Sequence, residues 1–229
     1  MRILALDTAT PACSAALLTD GIAISRELET ERGHAEHILL MIDEVLVQGR
    51  AALKEVDALA FGRGPGAFTG VRLAASVAQG LAFGARLPVV PVSDLAAVAQ
   101  RALDLDRRID HVLVCNDARM QEVYWACFDR DTNGLASLTG AEHVSGGSTI
   151  ELPAQWRGLI GGAGRGFRVY PEIRAALELK LVGIQEDLLP RALEIARLAL
   201  PEVLAGRLRR AEEAIPVYVR DDVTRASRN

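Results

Sequence analysis

One pattern constrains the fold more than any other: the chain makes the same opening twice. Residues 2–7 (RILALD) form a short apolar run that ends on an acid; 12–18 (ACSAALL) return after Thr-Ala-Thr-Pro, and Gly21 turns the chain into 22–28. Residues 111–115 (HVLVC) likewise run into Asn116-Asp117-Ala118-Arg119-Met120, residues 121–128 return, and Gly134 turns the chain into a third strand. Apolar runs of this length bounded by turn residues read as strands. Each opening is followed by strand and helix. The first half predicts a helix over 34–48, a strand over 57–62, a glycine-rich loop, a helix over 69–84, a strand over 88–92 and a helix capped by Ser93. The second predicts a strand over 157–161, a helix over 188–204 that Pro201 kinks or ends early, and an extended tail over 215–219. The duplication lies in the order of elements, not in residue identity. It divides the chain into two α/β lobes, 1–106 and 107–229, with mixed sheets flanked by helices.

Paired α/β lobes of this kind face each other across a cleft in the actin and sugar-kinase superfamily, where the first hairpin turn of each lobe points at nucleotide phosphates. Here those turns hold Asp7-Thr8 and Asp117. An acid at a strand end followed by hydroxyl residues can hold hydrated Mg²⁺, or can simply satisfy its own turn backbone; the tetrapeptide leaves both open. Gly161, Gly162 and Gly164 follow a strand as a surface suited to adenine or ribose. The loop from Gly62 to Gly70 has four glycines in nine residues, which permits close backbone approach and frees amides for an anion, or makes a rigid surface for a partner. No Gly-Lys-Ser/Thr follows, so it is not a Walker loop, and it lacks GxGxxG spacing. Any ATP or ADP with Mg is therefore expected to bind weakly, with no tightly held cofactor.

Catalytic equipment is not evident. His34 and His37 flank Glu36 without HExxH spacing, and neither a third metal ligand nor a GxSxG elbow appears. Cys13, Cys115 and Cys127 are odd in number and without CxxC spacing, as expected of reduced buried thiols. Polar residues from Asp7 to Pro11 interrupt the apolar start before it resembles a signal peptide, and no run approaches the ~20 apolar residues of a membrane span. The expectation is a cytoplasmic protein. Its net charge of −4 gives no long-range attraction to a polyanion, so a nucleic-acid substrate would be held by another subunit.

The two helices of the first half say more. From Ala35 to Val47 the apolar residues spread well beyond the ~100° stripe that one core-facing surface needs. The helix over 70–84 is rich in alanine and glycine, which allows close helix–helix approach. Together they suggest half of a helical bundle completed by another chain, with His34, Ile38, Met41, Ile42, Val45, Arg72, Ala75, Ala78 and Gln79 as the contact residues. The bland alternative is cover by the chain's own second lobe.

Residues 4–8 (LALDT), 32–36 (RGHAE), 64–72 (GPGAFTGVR), 117–124 (DARMQEVY) and 216–220 (PVYVR) resemble the bacterial TsaB (YeaZ) family over essentially the whole chain. The resemblance implies an actin-like fold and a part in making N6-threonylcarbamoyladenosine at position 37 of tRNAs reading ANN codons. It implies a TsaD-like catalytic partner, a TsaE-like ATPase, a homodimer when the partner is missing, and contact with tRNA only through the complex. The TsaD relatives carry a paired-histidine metal motif where this chain reads Val92-Ser93-Asp94-Leu95-Ala96-Ala97-Val98, so a non-catalytic, metal-free subunit is implied. An independent ATPase or kinase of the same fold stays open; a zinc peptidase is disfavoured by the histidine spacing.

Overall fold

In the computed structural model, which describes residues 1–220, the repeated opening becomes two five-stranded sheets. Strands β1 (Arg2–Asp7), β2 (Ala12–Thr19), β3 (Ile22–Glu29), β4 (Ala58–Gly62) and β5 (Val89–Val92) form the first, in the order β3-β2-β1-β4-β5. β1 runs antiparallel to β2 (Leu4 opposite Leu17) and parallel to β4 (Leu4 opposite Leu59). The second contains β6 (His111–Asp117), β7 (Val123–Arg130), β8 (Ala136–Ser145), β9 (Ile160–Ala163) and β10 (Gly183–Gln185), ordered β10-β9-β6-β7-β8. The two mixed α/β sheets thus repeat one topology.

Side-chain alternation explains the packing. Leu4, Leu6, Cys13, Ala15, Leu17, Leu59 and Phe61 point to one face of the first sheet, where α1 (His34–Gln48) and α2 (Phe68–Ala85) cover them. Ile3, Ala5, Ala16, Leu18, Ala58 and Ala60 point to the other face, covered by Ala192, Ile195, Ala196 and Ala199 of α6 (Ala192–Leu204). A strand buried on both sides reads as a continuous apolar run, which is why RILAL does not alternate. α3 (Asp94–Leu105) packs beside α6 and buries Leu95, Val98, Ala102 and Leu103 against Val112, Val114 and Phe128 of the second sheet. The outer face of that sheet, with Leu113, Cys115, Trp125 and Cys127, is closed by Phe167 of α4 (Gly166–Val169) and by Ile173 and Leu177 of α5 (Pro171–Leu177). The layers run helices, sheet, helices, sheet, helices.

Several expectations change. The helix expected over 188–204 starts at Ala192, and Pro201 sits inside it; its carbonyl accepts from Ala205 N–H at 3.0 Å, and the helix runs on to Leu204. This helix lies on the first sheet, although the division at 106/107 assigns it to the second lobe. Its apolar stripe fits the face of β1, β2 and β4 that α1 and α2 leave bare. Residues 221–229 of that second span lie outside the described residues. The strand expected over 157–161 is Ile160–Ala163, and the tail at 215–219 joins no sheet. His143 lies within β8, stacked on Trp125 at 4.4 Å between ring centroids. Among the described residues no helix is long and apolar enough to cross a membrane.

Candidate functional site

The acidic turn of the first lobe is turned inward. Asp7 and Thr8 are fully buried, and the Thr8 hydroxyl donates to the Gly70 carbonyl at 2.7 Å. One Asp7 oxygen accepts from Ala9 N–H at 3.0 Å. The equally buried Asp94 carboxyl meets it beside Gly62; Asp7 Oδ2 and Asp94 Oδ1 have no hydrogen-bond partner, while the other Asp94 oxygen accepts from Gly64 N–H at 2.5 Å. Burial pushes Asp7 up to about 6. Asp94 is raised well above the carboxylate range, first by burial, then by the neighbouring Asp7 charge. A proton shared between two buried carboxyls explains the contact, since two adjacent charges there would repel strongly. Sequence reasoning used Ser93 as a helix cap and missed this role for Asp94. Nothing local to Ser93-Asp94 signals it.

The glycine loop belongs to the same cluster. A Cβ on Gly62 would lie 2.3 Å from Asp94 Oδ1 and 2.4 Å from Asp7 Oδ1; on Gly66, 2.4 Å from Ala9 O; on Gly70, 2.2 Å from Thr8 O. Ala67 N–H donates to Ala9 O at 2.7 Å and Arg63 N–H to Val92 O at 2.8 Å. The loop is glycine-rich because it lies backbone to backbone on the β1–β2 turn, and these amides are engaged within the chain.

The second lobe shows the same economy. Asp117 accepts from Arg119 N–H at 2.8 Å and from the Tyr170 hydroxyl at 2.9 Å. Gly161 packs on Ile109, Gly162 on Leu181, Ile184 and Phe167, and a Cβ on Gly164 would meet the Asn116 side chain and Cys115 O at 2.5 Å. These glycines serve packing inside the lobe and offer no open surface for adenine, contrary to the sequence reading. Salt bridges join the two sheets: Arg63 to Glu142 at 3.0 Å and Arg165 to Glu29 at 2.8 Å.

The helical face is the outward feature, with different residues from those expected. Ile38, Ile42, Val45, Ala75 and Ala78 are buried in the chain's own core, as the a/d-like spacing of the stripe dictates once the sheet is present. They cannot line an interface. His34 bonds Thr10 O at 2.9 Å and Gln79 donates to Glu212 O at 3.3 Å. Met41 is half-buried against the core, and Arg72 is exposed beside Phe68. What the surface does present is Leu39, Leu40 and Val47 of α1, at 52%, 63% and 69% exposure, and Phe83 of α2 at 76%. On α2, Arg72, Ser76, Gly80 and Phe83 are exposed at helical spacing, and Gly80 has open space where a Cβ would stand. Leu40 and Val47, one heptad apart, lie on one side of α1. The apolar excess that the sequence suggested is real; its outward members are these.

The three cysteines are held as thiols. Burial pushes the Cys13 thiol up to about 11 and Cys127 to about 12, and raises Cys115 well above its usual range. Thiols so raised are poor nucleophiles. Among the described residues no cluster of three or more His, Cys, Asp or Glu could hold a metal ion.

The acid pair makes a pH prediction. Both carboxyls have raised values, so the folded chain keeps protons that the unfolded chain releases above about pH 4. Stability therefore falls as pH rises through about 6 and beyond. Asp94→Asn keeps a hydrogen-bond donor toward Asp7 and removes the carboxyl whose proton the folded chain retains. Its melting temperature should exceed the parent's at pH 8 and approach it at pH 5. Each pH unit over which the folded chain keeps a proton that the unfolded chain has released costs about 1.4 kcal/mol, or roughly 3–6 °C. Parallel melting curves from pH 5 to 8 would contradict a shared proton.

Comparison with known proteins can be set beside this arrangement of a buried acid pair, a glycine loop packed on the β1–β2 turn and exposed apolar residues on α1 and α2. Residues 27–213 match the family model described as TsaD: tRNA N6-adenosine threonylcarbamoyltransferase. The chain is 40% identical over 224 residues to the tRNA threonylcarbamoyladenosine biosynthesis protein TsaB of Escherichia coli (strain K12), covering 97% of this chain and 96% of the relative. It is also 40% identical to the TsaB of Haemophilus influenzae, with 98% and 95% covered. The solved structure of YeaZ from Pseudomonas aeruginosa superimposes with a TM-score of 0.84 at 41% identity, covering 95% of this chain and 99% of that one. With near-complete coverage in sequence and in structure, the chain belongs to the TsaB (YeaZ) family of tRNA threonylcarbamoyladenosine biosynthesis proteins.

Proposed function

We propose that this chain is the non-catalytic companion of a TsaD-like catalytic subunit, required with a TsaE-like ATPase for threonylcarbamoylation of adenosine 37 in tRNAs reading ANN codons. The observation that carries the reading is the outward face of α1 and α2, with Leu39, Leu40, Val47 and Phe83 exposed over a well-packed core. Exposed apolar side chains on two helices that cover the same core mark a protein contact. The small residues Ser76 and Gly80 let a partner helix come close. A second copy would cover the face when the partner is missing, and tRNA would be held by the other subunits in the cytoplasm. Co-purification from its own cells tests the pairing: a TsaD-like protein should be recovered in stoichiometric amount.

The same reading treats the cleft as a scaffold inherited without its ligand, with each lobe one half of the actin-like plan. Asp7 and Thr8 are engaged inside the protein, so Mg–ATP or Mg–ADP would gain few contacts from them. Calorimetry should give a dissociation constant no tighter than about 100 μM for ATP with Mg²⁺. Nanomolar binding would favour the alternative, an independent nucleotide-dependent ATPase or kinase.

A further inference from the structure

Three of the sequence stretches noted above meet at one place: the loop and helix start at 62–72, the hairpin turn at 117–122, and the chain segment at 215–220. The segment belongs to no sheet, yet it is held at successive residues. Val217 N–H donates to Arg63 O at 2.8 Å, and the Val217 carbonyl lies 2.8 Å from where a Cβ on Gly64 would stand. The Tyr218 hydroxyl accepts from Arg72 Nε at 2.7 Å, while the Arg72 guanidinium sits 3.7 Å above the Phe68 ring. Arg220 then crosses to the second lobe. It pairs with Glu122 at 2.5 Å, donates to Ala118 O at 3.2 Å and touches Met120 Sδ at 3.3 Å.

The turn that Arg220 grips is unusual. Arg119, Met120 and Gln121 all have left-handed backbones, with φ of 63°, 55° and 61°. Three such non-glycine residues in a row are unfavourable for L-amino acids and persist only where surrounding contacts hold them. The local contacts are Arg119 N–H to Asp117, Glu122 N–H to Arg119 O, and Ala118 N–H to Glu122 O. Arg220 closes the turn from outside by joining its first carbonyl to its last carboxylate.

We propose that residues 215–220 form a strap that couples the strained turn of the second lobe to the glycine loop and the α2 start of the first. Arg220 holds the turn, Val217 and Tyr218 hold the loop and Arg72, and the few residues between them transmit a change at either end. The strap adds to the Arg63–Glu142 and Arg165–Glu29 bridges but differs from them in reaching the N-terminal turn of the outward-facing helix. Seating of the strap and the setting of α2 are thus one equilibrium.

Hydrogen exchange on the full chain tests this, because both ends contain amides bonded within the chain. Arg220→Ala should raise exchange about tenfold at 118–122, which it touches, and also at 63–72, which it does not. Tyr218→Ala should do the reverse, raising exchange at 118–122 through the strap, and Tyr218→Phe should give a smaller effect of the same pattern. Exchange in β9 should stay at the parental rate. A rise confined to the side each residue touches, no rise, or a uniform rise across all segments would each overturn the coupling.

Discussion

Leu40→Glu and Phe83→Glu are expected to leave the fold intact and to cut recovery of a TsaD-like partner at least about 100-fold. Both side chains are more than half exposed, so a charge there stays in water in the free chain. In the complex it would be buried without a counter-charge, and an unpaired buried charge costs several kcal/mol, of which about 2.7 gives that factor. Val45→Glu is the instructive contrast. Val45 is fully buried among Ile38, Ile42 and Phe61, so the glutamate would unfold the lobe before any partner was consulted. Circular dichroism and partner pull-down on the three variants separate the cases. Full partner recovery with folded Leu40→Glu and Phe83→Glu would place the contact on another face.

Gly70→Ala should destabilise the chain by about 3 kcal/mol or more, within the range of overpacked core positions. The added Cβ would stand 2.2 Å from the Thr8 carbonyl, and that backbone is itself fixed by Ala67 N–H on Ala9 O. Neither side can give without breaking the contact between the glycine loop and the β1–β2 turn. Gly80→Ala supplies the control. Its Cβ meets nothing, and removing a helix-interior glycine should stabilise the chain by roughly 0.5–1 kcal/mol. It should still weaken the partner, since the methyl group stands on the outward stripe. Equal melting temperatures for Gly70→Ala and parent would remove the physical reason given for the loop's glycines.

How much of this was legible beforehand depended on burial. The strands of both openings were readable because short apolar runs ended at Asp7, Gly21, Asp117 and Gly134, and both sheets follow them. α4, α5 and β10 were not, because elements of three to seven residues carry too little periodicity to stand out, although Pro171 at the α5 start was a usable signal. The surplus of apolar residues on α1 was visible, but its direction was not. Ile38, Ile42 and Val45 form the most regular stripe and are for that reason the core face, leaving Leu39, Leu40 and Val47 outside. The pairing of Asp7 with Asp94 depends on β1 and α3 meeting in three dimensions, and no local spacing encodes it.

The proposed role is that of a surface for a catalytic partner and not of the chemistry of threonylcarbamoyl transfer. Reconstitution measures this most directly, with TsaD-like and TsaE-like subunits, tRNA, ATP and threonylcarbamoyl-adenylate. Modified adenosine should form only when this chain is present, should fall at least tenfold with Leu40→Glu, and should be unchanged by Cys13→Ala. Transfer by this chain without the TsaD-like subunit, or undiminished transfer when this chain is omitted, would contradict the account.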